Sequence, residues 1–226
     1  MRLVSGAGSE KTGACWMSAI HYYTRKDMRS WTDHPDCVSG VVRTLAIRLN
    51  DYLGSDKERE NVIGPHLFTP VGTKTTDEDE QKRREICRRY VIRIFAPFWL
   101  RRTKKAKLIA HAEQLEKIPL SDMAAVTKAA NAACAAADAA ACAAANAAAY
   151  AAANAAAYAA ANAANAAYAA ADAAAYAADA SADAADAKPF VIKHLLACIL
   201  ECCAVGQKAE VRNTVSKSCL LEFLNK

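Results

Sequence analysis

Apolar positions along this chain repeat at helical spacing and almost nowhere at strand spacing. Val38, Val41, Val42, Leu45, Leu49, Tyr52 and Leu53 recur every three or four residues, which gathers them onto one helix face. Gly54 stops that run. Ahead of it, residues 32–36 supply cap candidates and Pro35 near a first turn. Residues 15–23 read as a shorter helix. Ser55-Asp56-Lys57-Glu58 is a capping-box pattern that opens another, ended by Gly64-Pro65. Residues 67–74, with Pro70 and Gly72, read as a loop.

A longer helix is predicted from Thr76. Asp77, Glu78, Asp79 and Glu80 stand at its positive end, and Arg101, Arg102, Lys104 and Lys105 near its negative end, which suits the helix dipole. Ile86, Tyr90, Ile94 and Phe98 make the apolar stripe between them, and Pro97 predicts a kink or an end. Residues 108–115 continue in helical phase until Pro119. Ser121 then offers an N-cap to a stretch without Gly or Pro as far as Pro189. An apolar helix follows over 189–205, closed by Gly206. The last amphipathic helix, over 207–225, uses Val211, Val215, Cys219, Leu220, Phe223 and Leu224. The expected fold class is all-α in three parts: an N-terminal helical domain over 1–120, an alanine-rich tract over 121–188, and C-terminal helices over 189–226 that pack on the rest.

Composition changes the weight given to the tract. Of 55 alanines, 44 fall in the 64 residues 124–187, so the hydrophobic share of 54% does not describe one large core. Alanine is the best helix former but has little surface to bury. Asn, Asp, Tyr and Cys interrupt the alanines from Lys128 to Asp186 in sixteen steps over 58 residues, the α-helical period. From Cys134 to Asn162 every step is four residues, which turns the stripe by about 280° around a straight helix. From Asn162 to Asp186 it swings back by about 120°. One straight helix therefore cannot offer the whole stripe to one flat partner. The tract is expected to be enclosed by neighbours, to break near Asn162–Asn165 into a hairpin, or to cross other helices obliquely as a ridge. Asn146, Tyr150, Asn154, Tyr158, Asn162, Tyr168, Asp172 and Tyr176 form its candidate interaction stripe.

Charge and cysteine content narrow the function classes. The net charge of +5 divides into −4 for the tract and +9 for the remainder. The parts can attract each other, but the excess is too weak to make nucleic acid the expected partner. No apolar run reaches a membrane-spanning length, and residues 1–11 lack the apolar stretch of a secretory signal. Nine cysteines without such a signal read as reduced core residues of a cytoplasmic protein.

Candidate chemistry is thin. His194, Cys198 and Cys202 share a helix face and are metal-ligand types, but they are too spread for one tetrahedral ion and read as core. Cys15, His34 and Cys37 would make a thiol–imidazole set only if the fold joined them, and core packing is expected for them too. Gly6 to Gly13 looks briefly like a phosphate loop but lacks the Lys-Ser/Thr order and a preceding strand; a mobile N-terminus is expected. The basic clusters over 82–89 and 101–107 are expected to be solvated helix surface. No catalytic residue, metal or cofactor is expected.

Cys15-Trp16-Met17-Ser18-Ala19, Asp33-His34-Pro35-Asp36-Cys37-Val38 and Leu49-Asn50-Asp51, followed by the alanine tract, resemble a group of alanine-rich helical proteins of bacteria and phages. The tract more loosely resembles alanine-rich domains of toxin-immunity type. This sequence has Ser18 where the group has an acid and Gly40 where it has proline. The resemblance implies a cytoplasmic helical protein, in the host cytoplasm if phage-encoded, and it transfers no activity. The reading is a non-enzymatic protein acting by protein–protein contact. It would self-assemble through the alanine-rich helix, or block a partner such as a host defence or toxin component. The alternatives are a small-ligand or nucleotide binder using the Tyr/Asn stripe and, behind it, a cysteine- or metal-dependent enzyme.

Overall fold

A computed structural model describes residues 2–6, 11–25, 31–139 and 184–207, and most of these are helical. Their helices are α1 (Trp16–Thr24), α2 (Gly40–Tyr52), α3 (Asp56–Ile63), α4 (Asp77–Tyr90), α5 (Ala96–Arg102), α6 (Ala106–Lys117), α7 (Met123–Ala139) and α8 (Ala184–Ala204). No strand occurs among the described residues, only a single parallel bridge between Leu3 and Ala14. The protein is all-α. No described helix is long and apolar enough to cross a membrane. The candidate stripe from Asn146 to Tyr176, the hairpin expected near Asn162–Asn165 and the expected last helix lie outside the described residues.

The chain divides into two compact units, 1–83 with 199–226, and 84–198, so that the division falls within α4 and again within α8. In the first unit α1 packs on α2, and Trp16, Met17, Ile20, Leu45, Leu49, Leu53 and Ile63 are fully buried. The Trp16 indole N–H donates to the Leu67 carbonyl at 2.8 Å. Its backbone N–H donates to Asn50, whose amide in turn donates to the Val4 carbonyl at 3.1 Å. Leu3 is 1% exposed, and the Val4 and Ala14 amides donate to the Ala14 and Arg2 carbonyls. Leu3, Gly13 and Ala14 are therefore packed, while residues 7–10 of the expected mobile start lie outside the described residues. Gly13 permits this approach: its φ is +100°, and a Cβ there would meet the Arg2 carbonyl oxygen at 2.4 Å.

The α2 cap is Ser39, whose hydroxyl accepts from the Val42 amide, rather than a residue of 32–36. Ser55 caps α3 through the Glu58 amide as the pattern predicts. In the reciprocal bond the Gly54 amide donates to the Glu58 carboxylate at 2.8 Å.

In the second unit Pro97 does not end the helical path. A π turn over Val91–Phe95 precedes it, with the Ala96 amide bonded five residues back to Val91. The wider turn relieves the clash that a proline ring makes with the carbonyl four residues earlier. α5 packs on α6, and α6 on α7. The α7 cap is Asp122, which accepts from the Ala125 amide at 2.9 Å, and not Ser121. On α7, Val126, Ala129, Ala130 and Ala133 are buried, while Ala124, Lys128 and Asn131 are exposed. α8 runs through Pro189 rather than starting there.

Candidate functional site

Helix ends explain two buried arginines and a half-buried one. Arg59, 6% exposed, donates to the Asn50 and Leu53 carbonyls at the end of α2 and to Asp56. Arg93 donates to the Glu116 and Ile118 carbonyls at the end of α6. Arg83, with no exposed surface, donates to the Cys202 carbonyl at 3.1 Å and the Val205 carbonyl at 2.6 Å at the end of α8. A cation at a helix C-terminus satisfies orphan carbonyls and opposes the dipole. Gly206, at φ +69°, closes the same end beside Asp79 and Thr75, with no room for a Cβ.

Glu80 is the counterpart of Arg83. Its carboxylate accepts from Arg83 at 3.1 Å, from the Ser39 hydroxyl at 2.7 Å and from the Val41 amide at 2.9 Å. It therefore sits as an anion at the positive end of α2. Burial works to raise its pKa, but the hydrogen bonds from Ser39, Val41 and Arg83 outweigh that and hold it below the ordinary value. The basic cluster over 82–89 is thus partly interior, because Arg83 belongs to this network. In the cluster over 101–107, Arg101 pairs with Glu116 at 2.6 Å.

Cys15, His34 and Cys37 each have a local partner. Cys15 caps α1 and donates its thiol proton to the Ser18 hydroxyl at 3.1 Å. Burial pushes the Cys37 thiol pKa up, against a contact with Thr24. His34 is exposed beside Asp33. Among the described residues no metal-type grouping includes any of the three. His194 lies against the Phe190 ring, and burial, then Lys193, lowers its pKa. Cys198 and Cys202 are fully buried, as their apolar helix predicts.

Cys87, expected only as one of nine core cysteines, was not expected beside another. Its sulfur and that of Cys198 lie within 4.8 Å of one another in the second unit, both fully buried. The one available signal was that Cys87 lies one residue from Ile86 and three from Tyr90 of the α4 stripe. The same unit has a half-buried aromatic pair, Phe98 stacked on Phe190 at 3.7 Å, with the Arg102 guanidinium over Phe98.

Comparison with protein-family models, curated proteins and solved structures finds no match.

Proposed function

We propose that this protein acts by protein–protein contact and that a second copy of the chain is its first partner. The observation that carries the reading is the division of faces on α7. Its smooth face, Val126, Ala129, Ala130 and Ala133, is buried within the chain, while Lys128 and Asn131, where the polar stripe begins, are exposed. An alanine face already covered leaves the polar and aromatic stripe to meet a partner. Tyrosine suits that role because it offers a large contact area with a polar tip at small entropic cost. The stripe residues assigned to the contact are Asn146, Tyr150, Asn154, Tyr158, Asn162, Tyr168, Asp172 and Tyr176.

Sedimentation equilibrium of the full chain over a wide concentration range tests the reading. The expected result is reversible association. Tyr150→Ser combined with Tyr158→Ser should return the chain to monomer with its helix content unchanged. A monomer at every concentration would overturn the proposal.

A further inference from the structure

The basic run over 101–107 holds five cations and no acid. Lys104, Lys105 and Lys107 are exposed. The Arg102 guanidinium lies over the Phe98 and Trp99 rings, 5.6 and 5.9 Å from their centres. A stacked guanidinium holds its planar fork of donors in one orientation, which suits phosphate oxygens. Phe98 stacks on Phe190, which brings this part of α8 against α5. Lys193, three residues on from Phe190 and exposed, shares that helix face. The charge excess of the whole chain is weak, but these cations gather within the second unit.

Lys104 stands just past the end of α5 with φ +57°, in the left-handed region where glycine is usual. The turn around it is fixed. The Lys104 amide donates to the Arg101 carbonyl at 3.1 Å, and the Thr103 hydroxyl donates to the Leu100 carbonyl at 2.7 Å and accepts from the Lys105 amide at 3.3 Å. A lysine held where glycine would fit without strain points to use of its charge. We propose that this turn and Lys193 bind the phosphate backbone of a nucleic-acid duplex without reading its sequence. Single-strand binders stack bases on open rings, whereas Phe98 is covered by Phe190 and Arg102, and Phe190 by Phe98 and His194. Rings engaged in this way offer no anchor to a protein interface and no apolar face to a membrane. Phosphates need only fixed cations.

Fluorescence anisotropy of a short labelled DNA duplex, titrated with the full chain, tests the face. Affinity should be the same for duplexes of unrelated sequence. It should fall about tenfold between about 0.1 M and about 0.2 M salt, as about four phosphate contacts require. Lys104→Gly should weaken binding and reduce the salt slope by about one, without lowering the denaturation midpoint, because glycine accepts the positive φ. Lys104→Gly, Lys105→Gln and Lys193→Gln combined should cost at least about tenfold in affinity. Lys57→Gln, at an exposed lysine of α3 in the first unit, should leave binding unchanged. Circular dichroism checks that each variant is folded. A duplex that does not bind, a folded triple variant that binds it as the parent does, or tighter capture of a single strand, of a polyglutamate peptide or of phosphatidylserine vesicles would each overturn the proposal.

Discussion

Arg83 makes four hydrogen bonds from a side chain with no exposed surface: to the Cys202 and Val205 carbonyls, to Glu80 and to Thr75. Its removal would take the cation from the half-buried Glu80 and a donor from two helix-end carbonyls together. Arg83→Met should cost about 3 kcal/mol or more, the range for breaking one side of a buried ion pair. The same pair sets a pH dependence. Because Glu80 has a folded pKa below its unfolded one, its contribution is complete above the unfolded carboxylate value of about 4.3. It is lost as pH falls through the lower folded value. Urea unfolding at pH 7 and pH 3 should show a smaller drop for Glu80→Gln than for the parent, from a lower starting stability at pH 7. An equal drop in both chains would remove Glu80 from the acid response.

At the scale of the element, α7 shows how alanine can build a helix interface. Ala130 has no exposed surface, so Ala130→Leu should destabilise by about 1–3 kcal/mol through overpacking. Asn131→Ala, one residue on and exposed, should change stability by less than about 0.5 kcal/mol. Denaturant midpoints of the two variants check the assignment of faces, and similar losses in both would count against it. Spacing made such elements legible: α2, α3, α4, α6 and the start of α7 all follow from apolar period and caps. Where two residues competed for a cap, spacing alone could not choose. Asp122 displaced Ser121, and Ser39 displaced residues 32–36, because the winner depends on which side-chain oxygen reaches an amide in three dimensions. Pro97 did not end the helix, because a π turn absorbs its clash and leaves no mark in composition. The arginine caps were illegible because a basic run looks the same whether its guanidinium meets water or the end of a distant helix. Cys87 met Cys198 for the same reason, across more than a hundred residues of chain.

For the whole molecule, the uneven charge offers a second way for copies to meet. The acidic tract of one chain, at −4, could be drawn to the remainder of another, at +9. The stripe offers a different contact. Of its eight assigned positions only Asp172 is charged, so association through them rests on tyrosine area and amide hydrogen bonds. Salt distinguishes the two, because exposed charges are screened over about 8 Å at 0.15 M ionic strength, whereas apolar and amide contacts are nearly indifferent to it. Raising salt from about 0.05 M to about 0.5 M should therefore change the association constant by less than about threefold. A steep fall would transfer the contact from the stripe to the charged surfaces. The double tyrosine variant would then still associate at low salt, so the two measurements together decide which surface joins the copies.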